Sequence, residues 1–307
     1  MVLVAGILLS LSFNFFSSKK IEEPKIIQTE NIINTSPNSG FRYTISKNKN
    51  IKSNAENLFI ENNCSEFYLN INNYFDVEKP KNSICVFLNN IQVSFDFNDN
   101  KNNKNYVFDL EPKNNCFTIK INDLKITESE NDLLIIISNE NKDYDITNAF
   151  EEKKSNSIHF VNTKIYNYSI KNNIAITKEK YENYDYENAS KINDGIYINK
   201  SLNKNTINGS NIIKAKPNEK IYIPIIIKNM PTYNEASLIL LINDEQYKLN
   251  DKNYINIKLN NSLAKTKLFF IETPNAKGNY KLKIAMCCKN NEHRQYFISN
   301  TINLILE

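Results

Sequence analysis

The chain of 307 residues has no Trp, only two His and five Gly, five Cys and, among its 38 basic residues, only two Arg, Arg42 and Arg294. Each scarcity excludes something. Phosphate-cradling loops need several closely spaced glycines, and Gly6, Gly40, Gly195, Gly209 and Gly278 are too dispersed for a dinucleotide fingerprint or a P-loop. Cys64, Cys85, Cys116, Cys287 and Cys288 show no CxxC spacing, so neither a zinc site nor a thioredoxin-like motif is indicated. The vicinal pair Cys287 and Cys288 sits in an apolar run, where a strand sends its side chains to opposite faces; one buried and one exposed thiol is the expectation. A disulfide among Cys64, Cys85 and Cys116 is open if the body lies outside the cytoplasm. With a formal charge of +4 and Lys interspersed with Asp and Glu, no basic face forms of the kind nucleic acids require. No nucleic-acid partner is expected.

What the chain has in excess is Asn, Lys, Ile, Tyr and Phe, the bias that A/T-rich codons produce. The sequons at Asn34, Asn63, Asn167, Asn188, Asn199, Asn208 and Asn260 are about as many as that Asn content supplies by chance. From Met1 to Ser18 there is no charged side chain, and the run ends at Lys19 and Lys20. It reads as a hydrophobic membrane-anchoring helix, with a cleaved secretory signal and a buried first helix as alternatives. Bulky Phe13, Phe15 and Phe16 replace the small residues a cleavage site needs. The basic pair follows the run, the reverse of the usual charge bias for an outward-facing body, a conflict that a basic segment upstream would remove. Residues 19–54 are polar, with a short candidate strand at Phe41 to Ile45, and read as a flexible tether.

Beyond the tether, period two dominates. Phe67, Leu69 and Ile71 alternate with polar neighbours, as do Val93, Phe95 and Phe97, then Phe117, Ile119 and Ile121, and later Ile255, Ile257 and Leu259. The runs Leu133 to Ile137 and Ile225 to Ile227 are short and β-branched, which favours central strands. The body is expected to be all-β. It also repeats itself. Phe67 to Asn73 matches Ile223 to Asn229, Cys85 to Gln92 matches Ile239 to Gln246, Asn131 to Ile136 parallels Asn279 to Ile284, and His159 to Ile165 parallels Tyr296 to Ile302, in the same order. A tandem duplication predicts two sandwiches, 55–172 and 195–307, joined by a linker over 173–194.

In the second copy, PNEKIYIPIIIKN from Pro217, ASLILLINDEQYKL from Ala236, KGNYKLKIA from Lys277 and YFISNTINLIL from Tyr296 carry a strand pattern that resembles bacterial immunoglobulin-like modules of cell-surface proteins. The resemblance implies a two-layer sandwich of about seven strands per copy and leaves function open. The core Trp and inter-sheet disulfide of antibody domains are missing.

Catalytic constellations are missing too. His159, placed by the repeat opposite Tyr296, reads as a packing residue; His293 lies in a polar loop. No nucleophile elbow, HExxH or Cys beside a His occurs, and Glu151-Glu152 is the kind of carboxylate pair chance supplies. Asp96, Asn98 and Asn100 have alternating spacing, but Lys101 and Val107 stand where a calcium loop needs Gly and Glu, and Asp143 with Asp145 fails similarly. No catalytic, cofactor-binding or metal-ligating residue is assigned, and no cofactor is expected. The reading is a membrane-anchored, extracytoplasmic, non-enzymatic binding, adhesion or spacer protein with a protein or glycan partner. The alternatives are a hydrolase, such as a carbohydrate-active enzyme, with its site in loops, and a structural assembly subunit.

Overall fold

The computed structural model describes residues 41–49, 58–73, 81–111, 113–124, 126, 128–140, 158–167, 170, 181–182, 195–199, 212–228, 233–259, 264–290 and 294–307. They fall within one compact unit, 31–307, and contain strands, turns and no helix. Among them no helix is long and apolar enough to cross a membrane; the apolar run 1–18 lies outside them.

The first strands are β1 (Phe41–Ser46), β2 (Leu58–Phe59), β3 (Ser65–Asn73), β4 (Lys81–Leu88), β5 (Ile91–Val93), β6 (Phe95–Phe97), β7 (Asn100–Asn103), β8 (Asn105–Asp109), β9 (Lys113–Ile121), β10 (Glu130–Glu140) and β11 (Ile158–Tyr166). After them come β12 (Tyr181–Glu182), β13 (Gly195–Ile198), β14 (Ile212–Ala215), β15 (Lys220–Lys228), β16 (Glu235–Ile242), β17 (Glu245–Tyr247), β18 (Tyr254–Lys258), β19 (Ala264–Glu272), β20 (Gly278–Lys289), β21 (Arg294–Ile298) and β22 (Ile302–Leu306).

They build four sheets. The first half has an outer sheet ordered β1-β3-β9-β6-β7 and an inner one ordered β2-β11-β10-β4-β5, with β8 also on β4. The second half has an inner sheet ordered β12-β18-β16-β20-β22-β14, with β17 and β21 attached, and an outer one of β13-β15-β19. The candidate strand at Phe41 to Ile45, set within the tether on sequence, pairs with β3 along its whole length.

Alternation creates the cores. Phe67, Leu69 and Ile71 of β3 meet Ile84, Val86, Leu133, Ile135 and Ile137 across the first sandwich, all essentially buried. Ile223, Ile225 and Phe269 meet Leu238, Leu240, Leu282 and Ile284 across the second. Fully burying each such side chain contributes roughly 1.5–3 kcal/mol.

A third cluster joins the inner sheets back to back. Cys85, Phe87, Leu134, Ile136 and Phe160 from the first half pack with Ile239, Leu241 and Ala285 from the second. The two inner sheets are therefore covered on both faces, which is why β4, β10, β16 and the part of β20 from Ile284 to Cys288 read as continuous apolar runs instead of alternating ones. The runs expected to be central are so: β10 lies between β11 and β4, and β15 between β13 and β19.

The strand register moves two of the sequence alignments by one residue. Cys85 pairs with Ile136 and Ile239 with Ala285, so the equivalent of Ile136 is Ala285, not Ile284. Ile137 pairs with His159 and Met286 with Phe297, which sets His159 opposite Phe297, not Tyr296. A one-residue slip exchanges the two faces of a strand. On sequence the slip was invisible because both faces of β10 and β20 are buried.

Candidate functional site

Of the residues singled out for chemistry, those among the described residues are spent on structure. His159 is 1% exposed with its ring 4.8 Å from that of Tyr43; burial lowers its pKa to about 4, so the imidazole is neutral at physiological pH. His293, Asp143, Asp145 and the pair Glu151-Glu152 lie outside the described residues. Asp96 accepts hydrogen bonds from the Asn102 N–H and from Asn122 Nδ2, and Asn98 Oδ1 accepts from the Thr118 N–H. These side chains tie a hairpin to its neighbours, and no group of three His, Cys, Asp or Glu side chains among the described residues is placed to hold a metal ion.

All five cysteines are free thiols, and Cys287 and Cys288 are both buried, correcting the expectation of one exposed partner. The two thiols do point to opposite faces of β20. Cys288 enters the second core, and Cys287 turns toward the first half, beside Tyr296, Arg294 and Asp132; burial pushes its thiol up to about 11. A thiol so protonated is not a nucleophile.

One charged cluster bridges the halves. Asp132 of β10 receives Arg294 Nη1 of β21 at 2.5 Å and Lys164 Nζ of β11 at 2.6 Å, and Lys164 also meets Glu130 at 2.7 Å. Burial alone would raise the Asp132 pKa, but the two cations outweigh it and hold the carboxyl below the usual range. Asp132 is thus a charge-paired group that ties β10 to β11 and to β21.

With both inner faces occupied, the outer sheets are the faces left to meet a partner, and the repeat makes each a reference for the other. On the first, Tyr68, Asn70 and Asn72 of β3 and Asn114, Cys116, Thr118 and Lys120 of β9 alternate with the core residues. On the second, three outward positions of β15 and β19 form an apolar cluster: Tyr222 is 62% exposed, Leu268 42%, and Phe270 is half-buried. Tyr222 pairs with Phe270 in register, the rings meeting edge-on at 6.2 Å, and Lys220 Nζ lies 3.5 Å from the Phe270 ring centroid. Pro224, next along the face, keeps the ladder because its carbonyl accepts the Asn199 N–H just where β13 ends. The alternation of strand Lys265 to Ile271 carried this face in the sequence, but only the pairing of β15 with β19 sets Tyr222 beside Phe270.

No protein-family model and no curated protein matches the chain. Among solved structures it is similar to the CARDB domain of a Pyrococcus furiosus protein in complex with di-metal ions, at 13% identity over 42% of this chain and 99% of that one, TM-score 0.26. It is likewise similar to a protein of unknown function from Porphyromonas gingivalis, at 9% over 87% and 100%, TM-score 0.25. The PapD-like domain of human CEP192 aligns at 10% over 43% and 95%, TM-score 0.22. At these scores the likeness identifies no specific family.

Proposed function

We propose that the chain is a non-enzymatic binding or accessory module, made of two immunoglobulin-like sandwiches held outside the cytoplasm by the apolar segment 1–18, and that it docks an acidic protein segment bearing apolar side chains on the outer face of the second half. The observation that carries the reading is the asymmetry between equivalent faces: Tyr222, Leu268 and Phe270 stand where the first half has polar residues. An exposed apolar cluster rimmed by polar groups marks interaction sites. Charge selects the partner, because Lys220 and Lys228, at the two ends of β15, face outward with the apolar residues, against Glu272 among the outward positions of β19.

The test is a display library of short peptides sorted on the purified protein. Enrichment of acidic sequences with aromatic or aliphatic residues is expected, weakened by salt and lost in Tyr222→Ala/Leu268→Ser. Enrichment that ignores those substitutions, or none at all, defeats the reading. Protease accessibility on intact cells tests the location separately.

A further inference from the structure

The contact between the two inner sheets is made twice over. The Gln92 N–H donates to Gln246 Oε1 at 2.8 Å, and the Gln246 N–H donates to Gln92 Oε1 at 2.6 Å. Gln92 Nε2 donates to the Asp244 carbonyl at 3.1 Å, and Gln246 Nε2 to the Asn90 carbonyl at 2.9 Å. Ser83 Oγ donates to Asp244 Oδ2 at 2.5 Å, and Asn90 Nδ2 to Ser237 Oγ at 3.2 Å. In every case the two members of an equivalent pair (Gln92 and Gln246, Asn90 and Asp244, Ser83 and Ser237) are the same 154 residues apart. The apolar contact follows suit, with Cys85 and Phe87 of β4 answered by Ile239 and Leu241 of β16.

The local cause is a shared turn. Asn89 and Asn90 join β4 to β5, and Asn243 and Asp244 join β16 to β17, all four at φ between 48° and 66°. Both central residues left-handed is the type I′ hairpin, which Asn and Asp adopt readily. Each turn presents its carbonyl at the same edge of its sheet, where the Gln of the other half finds it.

Contacts of residue i with j and j with i are the signature of a two-fold, isologous interface between identical subunits; a contact between unrelated surfaces has no reason to repeat itself. We infer that the contact is a dimer interface taken inside one chain, and that the outer face of each inner sheet docks the same face of another copy of the sandwich. The second copy of the fold is normally the other half of the same chain. A second molecule can supply it when the halves are no longer tied, because tethering raises the local concentration of the partner face without adding any contact.

The symmetry is broken in charge at two places. Asp132 of the first half meets Arg294 of the second, whereas the position equivalent to Asp132 is Lys281. Lys283, buried on β20, pairs with Asp244 at 3.4 Å, their side chains 5% and 8% exposed; the equivalent positions in the first half are Leu134 and Asn90. Pairing of two second halves would bury this ion pair twice, and buried pairs are expensive to desolvate. One first half with one second half buries it once and also makes the Asp132–Arg294 bridge, which neither like pair can form, so the unlike pair is the better complex.

The experiment places a specific protease site within 171–180 of the full chain and cuts the folded protein. Native mass spectrometry is expected to show the two fragments as a 1:1 complex. Mixing isotopically labelled with unlabelled cut protein, followed by unfolding and refolding, is expected to give hybrids in statistical proportion. The same cut in Phe87→Asp/Leu241→Asp is expected to release separate fragments whose circular dichroism remains β-rich. Fragments of the unsubstituted protein that part on cutting, or hybrids that never form on refolding, overturn the inference without reference to the variants.

Discussion

His159 shows what one buried group does to the whole stability profile. Its folded pKa of about 4 lies below the ordinary value of 6.5, so the unfolded chain binds a proton more readily as pH falls. The stability that the neutral imidazole contributes is complete above 6.5 and is lost between 6.5 and about 4, a loss of roughly 3 kcal/mol. His159→Phe copies the residue that the second half carries at the equivalent position, Phe297, and denaturant melts across that range should become flatter. Asp132 acts lower. Its carboxyl is held below the usual range by Arg294 and Lys164 against the opposing effect of burial. Its contribution is therefore present above the ordinary carboxylate value and disappears as pH falls through the folded one. Arg294→Met should shrink that acid-side loss to the share that Lys164 holds. Gln92 and Gln246 offer a third test at this scale. Gln92→Ala and Gln246→Ala should destabilise about equally, and the double variant by less than the sum, with a coupling of about 0.5–3 kcal/mol in a double-mutant cycle.

At the scale of elements, what distinguishes an inner from an outer strand is how many faces are covered. β4 and β16 are buried along seven of their eight residues, while β3 and β9 keep polar residues on their outer faces. Period two is therefore legible in the outer strands, whose core residues can be named from sequence; in β10 and β20 it is masked, and the sequence match of the repeat falls one residue away from the strand register. Lys283 added to this, since KLKI in β20 looks like alternation toward solvent although Lys283 is buried. The same double coverage took Cys287 out of solvent. Thiol titration of the native protein should find Cys116 reacting first and Cys64 next, with Cys85, Cys287 and Cys288 reacting only after denaturant is added; rapid native labelling of Cys287 would contradict the packing of β20 against the first half.

For the whole molecule, the shared cluster of Phe87, Ile136, Phe160, Ile239 and Leu241, capped by the Phe160–Tyr296 stack at 5.4 Å, makes the halves interdependent. Calorimetry should show one cooperative unfolding transition in the intact chain and two in Phe87→Asp, because a buried carboxylate without a partner is intolerable at that contact.

By itself the sequence determined an all-β body, its internal repetition and the absence of catalytic motifs, since alternation and missing residue types are local properties. Tertiary structure decided what period two cannot carry: which of two apolar faces meets a core and which meets the other half, and which outward side chains of neighbouring strands come together, as Tyr222 and Phe270 do. The physical reason is that burial depends on what lies above a strand, and nothing in a strand's own residues says whether that is water, its sandwich partner or another copy of itself.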